Sequence, residues 1–348
     1  MKVLVPSAGF LSSVQDLGRT GFRQSGVSVG GALDIHALRV ANALVGNEDN
    51  AAGIEAALGT LRLRFDDERA VAWCGGGFAV RINDEDLPPG HAGLVAKDEE
   101  LTMVAPNEGG RAWLAISGGI DVPLVLGSRS TDLRGNFGGH QGRSLRNGDE
   151  LLLGKAALIL TFSHREKELP LPKGEGGGEG HALAGSSSGK RISEWSAPAP
   201  WTAIDRPDAV LRVVKGNNWE RFTPEAQESF LSAAFSVTHD SDRMGARLEG
   251  PRLDRIEPGD LLSEAVAPGT LQVPPDGKPI LLLGDCQTIG GYPKIAHVIT
   301  VDLPIAAQLW PGDSVRFREV SLAEAQDLLR EREEDFARFR VGLSLHFS

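Results

Sequence analysis

The sequence holds two cysteines, Cys74 and Cys286, and neither sits in a C-x-x-C spacing. That excludes a disulfide framework and a cysteine zinc site, and it fits a reducing compartment. The histidines are scattered, with no H-x-x-x-H pair, so no metal centre is expected. Basic residues are the minority: 36 Lys and Arg against 47 Asp and Glu give a formal net charge of −11. A surface of that sign repels phosphate backbones, and no basic stripe with interleaved aromatics offsets it, so nucleic acid is excluded as a partner. No stretch approaches the roughly 18 apolar residues of a membrane span. The opening MKVLVPSAGF also lacks the apolar run of about 7–15 residues that a signal peptide carries. The expectation from these absences is a soluble cytoplasmic protein without a membrane partner.

What is present is a chain of 348 residues with a hydrophobic fraction of 41%. At roughly 100–200 residues per domain, that is material for two domains, each with its own core. Gly, Ser, Pro and charge dominate residues 166–200, a composition that buries too little apolar surface to offset its ordering entropy. It predicts a flexible linker between an N-terminal half (1–165) and a C-terminal half (201–319), followed by a charged helix and tail (320–348).

Both halves are mainly β. Alternation or β-type composition predicts strands at 61–65, 78–82, 111–116, 158–162, 211–214, 280–283, 298–301 and 314–317. Many short strands between Gly/Pro turns indicate sandwiches or barrels. Three N/P-G-D turns centred on Gly148, Gly259 and Gly312 look strand-entering, because glycine tolerates φ > 0 there. Helices are few. Asp34 caps one through Val45, Thr223-Pro224 starts a second, and Ser321 with Glu324 forms a capping box for a third over 322–340. The dense charge of that last helix reads as a solvated face.

Two matches in the linker carry no chemistry. GSSSG at 185–189 imitates a nucleophile elbow around Ser187 without the strand and helix such an elbow needs. Residues 185–191 imitate a phosphate loop, but Arg191 replaces the metal-binding hydroxyl.

Four segments concentrate Gly, Arg, Asp and Gln: 9–34, 116–143, 221–250 and 263–293. Closely approachable backbone N–H groups beside guanidinium and carboxylate side chains suit an anionic or amide substrate in a preformed pocket.

These segments carry a resemblance. SSVQDLGRTGFRQSGVSVGGALD, LRVANALVGNEDNAAGIE, SGGIDVPLVLGSRSTDLRGNFGG, WERFTPEA, SDRMGARLEGPRL and the stretch from LLSEAV to KIAHVI occur in order across both halves. They resemble the biotin-dependent carboxyltransferase family, also called the allophanate hydrolase subunit 2 or KipI antagonist family. That family includes the C-type subunit of bacterial 5-oxoprolinase and the carboxyltransferase region of urea amidolyase. The resemblance implies a fold of two cyclophilin-like β-barrel halves. It implies an enzyme subunit of ATP-dependent 5-oxoprolinase, which opens a cyclic amide to give glutamate, with ATP and Mg supplied in the complex. Its partners would be homologues of the other 5-oxoprolinase subunits, the KipI-like B-type and the A-type, and the chain alone would be inactive. Two readings stay beside it: a carboxyltransferase component acting on urea or a related amide, and a regulatory binding partner of a KipI-like protein. No Met-Lys biotin-attachment tetrapeptide occurs in the chain, so biotin in the carboxyltransferase reading rides on another protein.

Either reaction needs cationic or N–H stabilisation where charge develops and a group to move an amide proton. The catalytic candidates are Arg243, Arg247, Asp285, Tyr292 and Lys294, with the two arginines as a clamp for phosphate or carboxylate. Gly290 and Gly291 are candidate N–H donors to the amide oxygen, and Gln272 and Gln287 candidate amide readers. Asp16, Arg19, Arg129 and Asp132 are candidate substrate contacts from the N-terminal half, with loop-tying an equal reading for Asp16, Arg19 and Asp132.

Overall fold

The computed structural model describes residues 1–156, 191–202, 208–257, 259 and 261–347. The strand expected at 158–162 and the motifs starting at 185 lie outside or largely outside these residues. Among the described residues no helix is long and apolar enough to cross a membrane.

In the N-terminal half the strands assemble into two six-stranded sheets. Thr60–Phe65 shows why: Leu61, Leu63 and Phe65 point inward while Arg62 and Arg64 face water, the period-2 pattern of a sheet with one wet face. Arg69–Gly75 and Arg111–Ile116 are instead buried along their whole length. Their alternate residues serve two cores. Val71, Trp73, Leu114 and Ile116 pack between the sheets, whereas Cys74, Trp113 and Ala115 face helix α1 (Ile35–Leu44) and the C-terminal half.

The C-terminal half is a closed seven-stranded barrel. Its first strand, Ala209–Lys215, pairs in parallel with its last, Ser314–Glu319, and antiparallel with Lys294–Val298. Closure leaves no open edge for unwanted pairing. Phe230 and Phe317 stack inside at 4.6 Å between ring centroids. Phe230 comes from α3 (Pro224–Ser232), reached after the short helix α2 (Ala199–Thr202). One apolar cluster runs from Leu38 and Trp113 through to Leu271 and Phe317, so the halves share a continuous core.

The helix signals hold. Asp34 accepts from the Ala37 amide at 2.8 Å, Thr223 accepts from Ala226 at 3.2 Å, and Ser321 accepts from the Glu324 amide at 3.1 Å. Three expectations need correction. Residues 192–196, expected in the flexible linker, form a strand that pairs with His91–Val95 in the N-terminal sheet. Residues 300 and 301, expected to end the strand 298–301, instead begin a 3-10 helix (Thr300–Asp302) that leads into α4 (Leu303–Gln308), because Asp302 bends back to bind Arg212 and Pro304 sets the helical φ. The last helix, α5 (Leu322–Phe347), runs past residue 340 and is not merely a solvated face. Its own Phe336 and Leu343 are buried, and Arg39–Glu333 and Arg340–Asp49, both at 2.9 Å, clamp it to the N-terminal half.

The turn glycines take positive φ, at +89° for Gly148, +148° for Gly259 and +96° for Gly312. The first and last lead into strands, while 261–263, the described residues between Gly259 and the two-residue strand Glu264–Ala265, are irregular.

Candidate active site at the seam of the two halves

The strand Gly53–Ala57 (GIEAA) is buried throughout, yet it carries one carboxylate, Glu55. A buried charge must be paired and hydrogen-bonded, and Glu55 is both. Its Oε2 accepts from the Trp113 indole and the Leu33 amide, each at 2.9 Å, and its Oε1 accepts from Arg243. Arg243 reaches across from the barrel. Its Nε donates to Asp285 Oδ2 at 2.8 Å, and its Nη2 donates to the Gly31 carbonyl at 2.6 Å and Asp285 Oδ1 at 3.2 Å.

The electrostatics follow from that arrangement. Burial works against the charge on Arg243, but Glu55 and Asp285 outweigh it and hold the guanidinium protonated. Burial works against Glu55 too, and Arg243 overrides it, keeping the carboxyl below its usual range. Asp285 differs: burial pushes its carboxyl up, and Arg243 offsets this only in part. The seam therefore holds one firmly ionised carboxylate and one that takes up a proton more readily, the separation that acid–base chemistry uses.

This relay lines a cavity of about 460 Å³, within the range of roughly 300–1,000 Å³ typical of small-molecule sites. Leu11, Leu58, Leu133 and Leu309 give it an apolar wall. Arg134 stands at its exposed rim, donates to Met244 Sδ at 2.7 Å and has no carboxylate partner among the described residues. Arg111, also in the lining, ties the halves together by donating to the Ala307 carbonyl at 2.5 Å.

A smaller cavity of about 220 Å³ adjoins it through Asp242 and Met244. Arg247, Gln272, Gln287 and Tyr292 line this one. Gln287 donates to Gln272 Oε1 at 3.1 Å, and Gln272 donates to the Tyr292 carbonyl at 3.4 Å. Gly290 packs against Gln272, so closely that a Cβ there would lie 2.6 Å from Nε2. Arg243 and Arg247 thus face different cavities and form no common clamp. Lys294 is buried, with its ammonium on Glu264 at 2.7 Å, and Gly291 lies beside the Leu261 carbonyl.

The N-terminal candidates form a third group. Asp16 is saturated, accepting from Gly18 N, Ser128 Oγ, Ser130 Oγ and Arg129 N at 2.5–2.8 Å, which makes it a loop tie. Asp132 accepts from the amides of Arg134 and Gly135 at 3.1 and 2.8 Å, the geometry of an Asx turn. The Arg129 side chain pairs with Asp121 at 3.3 Å, away from the relay. Arg19 is the exception. It donates to the Ser130 carbonyl and lies 4.7 Å over the Phe137 ring, while its buried Nη1 finds no partner among the described residues. Burial lowers its pKa, opposed by Asp132, Asp16 and Asp285. Gly30, whose φ of +61° favours glycine, lies between Arg19 and Asp285: a Cβ there would touch both in ordinary contact, 3.4 Å from Arg19 Nη1 and 3.6 Å from Asp285 Oδ1.

Sequence reasoning missed Glu55, Trp113 and Arg134. The signal for Glu55 was a lone acid in an apolar strand, and for Trp113 an indole N–H in a strand buried on both faces.

The sequence of this mainly β chain matches the carboxyltransferase domain. The family model for that domain, subdomains A and B, matches residues 25–319, and the chain belongs to this family. Among its relatives, the C-type subunit of Escherichia coli 5-oxoprolinase is 37% identical over 94% of this chain and 94% of that protein. The corresponding 5-oxoprolinase subunit from Haemophilus influenzae is 33% identical over 92% of each. The crystal structure of K. lactis urea amidolyase superposes with a TM-score of 0.82 at 28% identity, covering 97% of this chain but 20% of that one.

Proposed function

We propose that this chain is the C-type subunit of a cytoplasmic, ATP-dependent 5-oxoprolinase that opens the ring amide of 5-oxoproline to give glutamate. The observation that carries this is extent: the chain and its E. coli relative correspond along 94% of both lengths. The proposed partners are homologues of the KipI-like B-type and the A-type 5-oxoprolinase subunits.

The seam suits such a substrate. Arg134 would take the carboxylate of 5-oxoproline at the rim, and the leucine wall would cover the ring methylenes. Hydrolysis adds water to the amide carbon, breaks the C–N bond and leaves a nitrogen that needs a proton. Asp285, oriented by Arg243, is the group poised to supply it. Arg247, Gln272, Gln287 and Tyr292 would serve from the adjoining cavity, reading the amide and its activated form. Lys294, Gly290 and Gly291 would support that wall. The seam residues alone do not fit Mg–ATP, because Arg243 already engages both carboxylates. The nucleotide is therefore assigned to the assembly.

A second reading, a carboxyltransferase component working with a biotinylated protein on urea or a related amide, draws on the match to urea amidolyase. Reconstitution with the A-type and B-type homologues separates the two. ATP-dependent release of glutamate from 5-oxoproline is expected. Biotin-dependent incorporation of bicarbonate into urea, without that release, overturns the proposal, and a stable complex lacking both activities points to regulation.

A further inference from the structure

A third cavity, of about 360 Å³, lies where α5 crosses the start of α1, and it contributes nothing to the seam chemistry. Asp34, His36, Trp201, Arg212, Asp302 and Arg332 supply its polar lining. One cation and one anion of this set neutralise each other: Arg212 grips Asp302 through Nε and Nη2, at 3.0 and 2.5 Å. Asp34 accepts from the Ala37 amide as the cap of α1 and lies within electrostatic reach of Arg332 without a hydrogen bond to it among the described residues.

Two groups remain. His36 is 6% exposed, and neither of its ring nitrogens finds a hydrogen-bond partner among the described residues. Its ring is held edge-on by Trp201 at 5.0 Å and Phe336 at 5.8 Å, so it is fixed in direction. Among the described residues Arg332 has a buried Nε without a hydrogen-bond partner and makes no salt bridge, although Glu333 beside it is taken by Arg39. Buried polar groups are ordinarily satisfied, and two orphans on one cavity wall require an explanation. Trp201, Pro200, Pro304 and Ile305 add apolar lining to the same cavity.

From this geometry we infer that the cavity binds a small carboxylate, with its oxygens on the Arg332 guanidinium and the His36 ring and its carbon body against Trp201 and Ile305. A guanidinium pairs bidentately with a carboxylate, and the apolar wall favours an organic anion over inorganic phosphate. The inference stands independently of the proposed reaction.

The test is thermal unfolding of the full chain with acetate, propionate, orthophosphate or chloride at matched ionic strength. Propionate is expected to raise Tm saturably, by about 2–4 °C well above its Kd. Arg332→Gln is expected to abolish the rise, while Arg134→Gln, at the seam, leaves it intact. Crystals grown with 3-bromopropionate should show the bromine between Trp201 and Ile305, a readout independent of how the Gln variant folds. A rise equal to that in chloride overturns the inference. So does stabilisation by phosphate alone, or a rise that survives Arg332→Gln and is lost in Arg134→Gln.

Discussion

The guanidinium of Arg243 closes on the carboxylate of Glu55, 188 positions earlier in the chain, and joins it to Asp285 of the barrel. Breaking a buried pair strands a charge, which costs about 3–5 kcal/mol. Arg243→Ala should therefore lower unfolding stability by about that amount in urea titration. It should also reduce glutamate formation by the reconstituted complex by about 100-fold or more. Arg243→Lys should recover only part of both, since an ammonium cannot reproduce the planar fork that meets Glu55, Asp285 and Gly31 together.

Arg134 is exposed and bears no carboxylate partner among the described residues, so its removal should spare the fold. A charge-assisted hydrogen bond is worth about 1.5–3 kcal/mol. Arg134→Gln should raise KM for 5-oxoproline by about 10-fold or more with Tm unchanged. An unaltered KM would remove it from the substrate site.

Two neighbours at the start of α1 should give opposite pH dependences. Burial pushes the Asp34 carboxyl up to about 6 from 3.8, so its contribution to stability is present below pH 3.8 and lost as pH rises through about 6. Burial pushes His36 down to about 3 from 6.5, so its contribution is present above pH 6.5 and lost as pH falls toward 3. Each changes stability by about 1.4 kcal/mol per pH unit within its window. Asp34→Asn, which keeps the cap, should make the protein more acid-labile than wild type between pH 4 and 6. His36→Gln should make it less so. Urea unfolding at pH 4–8 reads both slopes.

Both thiols are sealed. Burial pushes the Cys286 thiol up to about 11 and that of Cys74 higher still. Since the thiolate is the nucleophile, iodoacetamide should label neither in the native protein at pH 7.5 and both in denaturant. Rapid native labelling would mean that the core opens.

The parts of this architecture visible in sequence were those written locally. Helix caps at Asp34, Thr223 and Ser321 depend on residues three or four positions apart, and all three formed. Arg243 and Asp285 stood in conspicuous Gly-rich runs. Glu55 did not, because its meaning depends on an arginine supplied by the other half. The two-cavity division of Arg243 from Arg247 was equally hidden. Spacing of four puts two side chains on one face only when both lie in the same helix or strand, and here Arg247 lies in the strand Gly245–Glu249 whereas Arg243 lies in the turn before it, which swings it to the seam. Docking of α5 was masked by its own charges, which read as solvation until Arg39 and Asp49 supplied partners.

The parallel pairing of Ala209–Lys215 with Ser314–Glu319 has a consequence for synthesis. A ribosome delivers the first staves of the barrel long before the one that closes it, and α5 emerges later still. Until then the nascent N-terminal sheets carry Glu55 without a settled arginine, and the unfinished barrel offers exposed edges. Synthesis thus leaves an interval in which the first stave, Ala209–Lys215, waits for its parallel partner, and the barrel wall of the site is complete only once Ser314–Glu319 has been made.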